Sequence, residues 1–181
     1  MKGIVFAEFL DMVEEKYGLA IVNRITAQDG LATGGAYSNV GNYPHEEMLI
    51  LIDGLLQEVE VSRLELIRAF GNRLFQVFLS GHESFFVGAT DPLDFLSGVE
   101  TVIHADVRKL YPDAVLPDFD CFWMSDNVLV MDYSSPRPLA DLAQALIEVS
   151  IQHFGVEVKI QRLDGPTEDA HSARFILTRV P

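Results

Sequence analysis

The chain has 181 residues, of which 49% are hydrophobic, with one cysteine and a formal net charge of −14. That length calls for one domain, at most two lobes, and the apolar content suffices for a core, yet no run reaches the roughly 20 apolar residues of a membrane span. The negative charge argues against nucleic acid and anionic membranes as partners. The single Cys121 excludes an internal disulfide and suits a reducing cytosol. The amino terminus turns acidic by Glu8 and shows no cleavage-like site, so it does not read as a signal peptide, and a cytoplasmic location is expected.

In chain order, Ile4 to Tyr17 reads as an amphipathic helix with Val5, Phe9, Met12 and Val13 on one side and Gly18 placed to end it. A second helix is expected from Ala20 to Gln28. Asp29 to Tyr43 carries Gly30, Gly34, Gly35 and Gly41 with no periodicity and no Gly-Lys-Ser/Thr, which makes it a loop and not a phosphate cradle. Pro44 suits the first turn of a helix that continues to Val59. Ser62 followed by Glu65 is a capping box for the next helix, predicted to run to Ser80. Its apolar residues Leu66, Ala69, Phe70, Leu74, Val77 and Phe78 cover so much of its circumference that burial is expected.

Asp91-Pro92 opens a helix that Tyr111-Pro112 ends, with an apolar stripe of Leu96, Val99, Ile103, Val107 and Leu110 and with His104 on its flank. The period then changes to two. Phe119 to Met124 and Asn127 to Ser134 read as a hairpin around Ser125-Asp126. A helix from Pro138 to Phe154 is stopped by Gly155, and Val156 to Leu163 with Ala173 to Val180 forms a second hairpin. Helices followed by β-β-α-β-β give an α+β class with an antiparallel sheet of about four strands.

The candidate chemistry lies between Val102 and Arg137. An imidazole can bind a metal through one nitrogen, and His104 offers one, although a helical histidine is more often a solvated or hydrogen-bonded surface group. Tyr133, Ser135 and Arg137 sit at a strand end, where two hydroxyls and a guanidinium suit a carboxylate or a phosphate; a plain strand end with a surface arginine has the same composition. His45, His82, His153 and His171 show no zinc spacing among themselves, and Cys121 reads as core filler. A ligand that carries both a metal and carboxylates would use both halves of the stretch.

The same stretch resembles the haem nitric oxide/oxygen binding (H-NOX) family, relatives of the sensor domain of soluble guanylate cyclase. The likeness rests on the H-x-x-V-x-K-L-Y-P run from His104 to Pro112, on Pro117 placed 13 residues after the histidine, and on the Y-x-S-x-R signature of Tyr133, Ser135 and Arg137. The opening M-K-G-I-V-F, the A-F-G of Ala69 to Gly71 and the length extend it over nearly the whole chain.

The resemblance implies one domain over 1–181, with a helical lobe over about 1–60, an α+β lobe over about 61–181, and haem b between them. It makes His104 the iron ligand and assigns the haem propionates to Tyr133, Ser135 and Arg137. Two carboxylates entering an apolar pocket need such donors to offset desolvation. It further implies that Pro117 packs against the porphyrin and that Val5, Phe9, Leu74, Phe78, Leu142 and Leu146 line the pocket.

Oxygen-binding relatives donate to bound O₂ from a tyrosine five residues past the signature arginine, which here is Leu142; two further polar positions of theirs align with Phe9 and Leu74. The expected function is therefore a gas sensor that binds NO and CO, discriminates against O₂ and signals to a histidine kinase or a diguanylate cyclase/phosphodiesterase. With Cys121 as the one cysteine, the cysteine-rich zinc site of some relatives is not expected. Peroxidases also use a histidine-ligated haem, but Phe9, Leu74 and Leu142 supply no distal acid–base pair, so the chain is not expected to be an enzyme. The alternative is a haem-free or other-ligand interaction module on the same fold.

Overall fold

The structure, a computed structural model, describes residues 1–81, 85–165 and 170–180. His82 lies outside the described residues, as does most of the loop of the second predicted hairpin. The chain divides into two compact units, Met1–Leu74 and Phe75–Pro181. No helix among the described residues is long and apolar enough to cross a membrane.

The first unit contains α1 (Gly3–Tyr17), α2 (Leu19–Thr26), α3 (His45–Glu58) and the start of α4 (Arg63–Gly81). The helix starts follow local chemistry. In the capping box the Ser62 N–H donates to Glu65 Oε2 at 2.9 Å, and the Glu65 N–H donates to Ser62 Oγ at 3.2 Å. Pro44 sits at the N-cap of α3, with ψ 133°, and not in its first turn. Gly18 ends α1 at φ 87°, a conformation that costs glycine little. Fully buried Phe6, Phe9, Val13, Ile25, Leu51 and Leu55 form the core.

The segment between α2 and α3 has no regular structure, as its glycines predict, but two anchors hold it. Gly3 donates to the Gly41 carbonyl at 2.8 Å, and a Cβ on Gly3 would lie 1.8 Å from the Ser38 carbonyl oxygen, so only glycine fits there. On α3, Glu47 is 2% exposed and its Oε2 accepts from the Thr33 hydroxyl at 2.6 Å and the Tyr37 hydroxyl at 2.7 Å. Burial above all, and then Glu47, push the Tyr37 phenol up to about 12, against a lowering hydrogen bond with Thr33. Tyr37 also stacks on Phe6 with ring centres 4.4 Å apart.

The second unit carries a four-stranded antiparallel sheet of β1 (Asp118–Ser125), β2 (Val128–Ser134), β3 (Val158–Asp164) and β4 (Ser172–Arg179), in the order β1-β2-β4-β3. The α+β class read from the sequence is observed. In β2 and β4 alternate residues Leu129, Met131, Tyr133, Ala173, Phe175 and Leu177 turn to one face and pack with Ala143, Ile147 and Ile151 of α7 (Ala140–Phe154). Two helix limits differ from expectation. α7 begins at Ala140 and not at Pro138: Leu139 stands outside helical geometry at φ −119° and ψ 22°, and the Leu139 and Ala140 amides donate to the Arg137 and Ala170 carbonyls. The predicted single helix from Pro92 is three pieces, α5 (Pro92–Ser97), a π-helical turn over Val99–His104, and α6 (Ala105–Leu110).

Asp91 caps α5, accepting from the Leu93 and Asp94 amides at 2.8 and 3.0 Å while Arg179 of β4 donates to both its oxygens. The Arg179 hydrogen bond first, and the capped amides after it, hold the Asp91 carboxyl below its usual range even though burial opposes this.

Two stability predictions follow from these contacts. Glu47→Ala strands two half-buried hydroxyls and is expected to lower unfolding free energy by about 2 kcal/mol, with Glu47→Gln closer to wild type, in urea titrations. Because the folded-state pKa of Asp91 is depressed, its contribution is complete above the unfolded carboxylate pKa and is lost as pH falls through the folded value. Asp91→Asn should therefore melt below wild type at neutral pH, and the two melting curves should converge in acid.

Candidate functional site

The three-part helix is the base of the site. At Gly98 the helical register changes, with the Gly98 N–H shared between the Phe95 and Leu96 carbonyls. The wider π-helical turn follows and ends at His104, and such turns are frequent at functional sites. The predicted stripe is also thinner than the pattern implies: Val99, Ile103 and Val107 are half-buried and Leu110 is exposed.

His104 is 14% exposed at its side chain, and its Nδ1–H donates to Glu100 Oε2 at 2.8 Å. Among the described residues this is its one hydrogen bond, so Nε2 has no protein hydrogen-bond partner there. Glu100 is held in turn: Arg108 reaches Oε1 at 2.6 Å, and the Phe119 N–H donates to Oε2 at 3.3 Å. Burial would raise the Glu100 carboxyl, but the hydrogen bonds from His104 and Arg108 outweigh it and the pKa falls. Glu100 is thus a carboxylate that accepts from helix, side chain and strand together.

A chain of rings leads from the histidine to the strand end. The His104 ring centre lies 5.9 Å from that of Phe119, which lies 5.4 Å from that of Tyr133. Tyr133 is 3% exposed, and burial raises its phenol while its hydrogen bonds to Ser135 and the Leu139 backbone, with the charge of Arg137, lower it. The Arg137 N–H donates to Ser135 Oγ at 3.1 Å, and its guanidinium donates to the Val115 carbonyl at 2.7 Å. Pro117 therefore sits between two anchors, Val115 held by Arg137 and Phe119 held by Glu100. Two hydroxyls and a guanidinium are the groups that suit an acidic ligand.

The structure brings His104, Pro117, Tyr133, Ser135 and Arg137 into one region of the second unit. Leu142 and Leu146, one turn apart on α7, are half-buried, as is Phe78 on α4. Val5, Phe9 and Leu74 belong to the first unit, where Phe9 and Leu74 are buried, Val5 is half-buried, and Phe9 meets Phe70 edge-on at 5.2 Å.

Of the other histidines, His45 opens α3 beside Glu46, and His153 joins a ring cluster with Phe75, Phe86 and Phe154. His171, expected only as a loop residue, shares a 3.0 Å contact between its Nδ1 and the Ser135 carbonyl and receives the Ser135 N–H on its own carbonyl at 2.9 Å. Cys121 is half-buried against the sheet core, and burial first pushes its thiol up to about 11, which leaves it unreactive. No group of three or more metal-ligating side chains occurs among the described residues.

Sequence reasoning missed Glu100, Arg108 and Phe119. The first two were signalled by E-x-x-x-H-x-x-x-R, which sets Glu100, His104 and Arg108 at i, i+4 and i+8, whereas Phe119 on a later strand has no such local signal.

The haem-NO-binding (HNOB) family model matches residues 2–162. Among solved structures, the Fe(II) unliganded H-NOX protein from K. algicida is 34% identical with a TM-score of 0.92, over 100% of this chain and 97% of that one. The IWP-051-bound H-NOX from Shewanella woodyi in the Fe(II)CO state is 32% identical with a TM-score of 0.84, over 100% and 95%. An H-NOX protein from S. oneidensis in the Fe(II)NO state is 26% identical with a TM-score of 0.85, over 100% of both chains. No curated protein matches the chain.

Proposed function

The chain belongs to the haem-NO-binding family, and we propose that it is a haem-based gas sensor that takes NO and CO, discriminates against O₂ and reports to a separate signalling protein. The observation that carries this reading is His104, a mostly buried imidazole whose Nδ1–H is committed to Glu100 while Nε2 has no protein donor among the described residues. That is the state a histidine needs in order to ligate iron through Nε2.

The donor set fits haem b. His104 would hold the iron, and Tyr133, Ser135 and Arg137 would hold the propionates, with the Arg137 charge offsetting the desolvation of two carboxylates. Pro117, whose neighbours Val115 and Phe119 are held by Arg137 and Glu100, would pack against the porphyrin. Haem supplies, when bound, a ferrous centre for a diatomic ligand. K. algicida and S. woodyi relatives above 30% identity are described in the Fe(II) unliganded and Fe(II)CO states, and the S. oneidensis relative in the Fe(II)NO state.

The selectivity comes from what the side chains lack. Leu142 has no hydrogen-bond donor to offer, and neither has Phe9 or Leu74, the other positions at which oxygen-binding relatives are polar. Bound O₂ carries partial negative charge and gains from a donor; NO and CO depend on one much less. Loss of a buried charge-assisted hydrogen bond costs on the order of 1.5–3 kcal/mol, roughly ten- to a hundred-fold in affinity.

For output, His104 couples its surroundings to the ligand because it ends the π-helical turn and, through Glu100, is tied to β1. Release of His104 from the iron would free this helix to take a second arrangement, a two-state element biased by ligand. A histidine kinase or a diguanylate cyclase/phosphodiesterase is the expected reader.

Absorption spectra of the reduced, haem-loaded protein under argon, in air and with NO test the selectivity. A five-coordinate ferrous spectrum that keeps its form through brief air exposure and shifts with NO is expected; a stable oxy spectrum would overturn the O₂ discrimination, and a chain that takes up no haem would favour the interaction module. For the output, haem-loaded His104→Gly is expected to regulate the partner as NO-bound wild type does. Regulation matching the unligated wild type would rule out release of His104 as the signal.

A further inference from the structure

We propose that Glu100 is the positioning residue of His104: it fixes the imidazole as the Nδ1–H tautomer, aims Nε2, and sets how strongly the histidine holds iron. This inference rests on the haem-sensor reading above and deepens it with a residue that the H-x-x-V-x-K-L-Y-P motif does not contain.

Three features of the geometry carry it. A carboxylate has no proton to give, so the 2.8 Å contact assigns a hydrogen to Nδ1, and in the neutral ring that ligates a metal the lone pair then falls on Nε2. Glu100 is itself braced, by Arg108 on Oε1 and by the Phe119 amide on Oε2, so its oxygens cannot swing away from the ring. Finally, Glu100 and His104 share the π-helical turn Val99–His104, and Arg108 lies on the following α-helical segment, so the acceptor, the ring and the brace are set by one stretch of backbone.

The chemical consequence is general. An imidazole that donates its far N–H to a carboxylate becomes a more basic ligand, and loss of such a partner commonly weakens metal binding ten- to a hundred-fold. In this chain the effect has a second edge, since a firmer iron–histidine bond also opposes release of His104 on ligand binding. Glu100 therefore tunes the threshold of the sensor as well as its hold on haem. The Phe119 amide extends the same carboxylate to β1, two residues beyond Pro117, so a shift of the ring would be felt at the strand that follows the proline.

The test compares wild type with Glu100→Ala and Glu100→Gln, each haem-loaded and reduced under argon. Resonance Raman reads the iron–histidine stretching band, transfer to excess apomyoglobin reads haem loss, and circular dichroism melts read folding. Glu100→Ala is expected to move the band to lower frequency and to speed haem loss about ten- to a hundred-fold. Glu100→Gln, which keeps an oxygen acceptor without its charge, should fall between. A role confined to fold stability would lower the melting temperature and leave the band where it is. An unmoved band in folded, haem-loaded Glu100→Ala overturns the proposal; if the alanine variant does not fold, an unmoved band in Glu100→Gln does so. Those results leave the sensor reading standing, whereas a wild-type chain that takes up no haem overturns both.

Discussion

A carboxylate withdrawn from water must replace its hydration with donors, and at Glu100 those donors come from three separate pieces of structure. His104 supplies a ring N–H, Arg108 a guanidinium, and Phe119 a backbone amide of β1. The arrangement works in both directions. The donors keep Glu100 ionised against its burial, and the ionised carboxylate keeps the ring, the helix and the strand in register. Without it the half-buried helix from Val99 to Leu110 would depend on a thin apolar stripe, because none of its side chains is fully buried.

The second consequence concerns the turn between that helix and the sheet. Pro117 lies in a segment without regular structure, yet it is fastened at Val115 by the Arg137 guanidinium and at Phe119 by Glu100. Arg137 belongs to the Tyr-Ser-Arg group and Glu100 to the histidine, so the two halves of the candidate site meet at the proline. A rigid ring set between two charged anchors is suited to transmit a small displacement of either, and this is why the site is better described as one polar framework than as a ligand residue with a distant cluster.

Much of this could be read in the residues. The capping box of Ser62 and Glu65, the Asp91 cap, the left-handed Gly155 at φ 66° and the two hairpins are local chemistry, and local chemistry is legible. What failed was what depends on distant partners. Pro138 looked like a helix start, but Leu139 lies outside helical geometry and the chain there is tied to the distant Ala170 carbonyl. The π-helical turn leaves no mark in an apolar periodicity, since one extra residue per turn only blurs the stripe. Glu100 went unread because its third donor, the Phe119 amide, comes from a strand 19 residues on. In the first unit the loop before α3 read as featureless for the same reason, its order being supplied by Glu47.

Those two carboxylates show how the same problem is solved for different ends. Glu47 is met by neutral hydroxyls from Thr33 and Tyr37, and its Oε1 has no hydrogen-bond partner among the described residues. Such a contact ties a loop to a helix and needs nothing that can change. Glu100 is met by one fixed cation, one backbone amide and one imidazole, and only the last can take a ligand on its other side. A pull on Nε2 is therefore also a pull on Oε2, and from there on Phe119 and Arg108. Hydroxyl donors would hold the helix as well in a static fold; an imidazole among the donors would make the Glu100 framework sensitive to a ligand on Nε2.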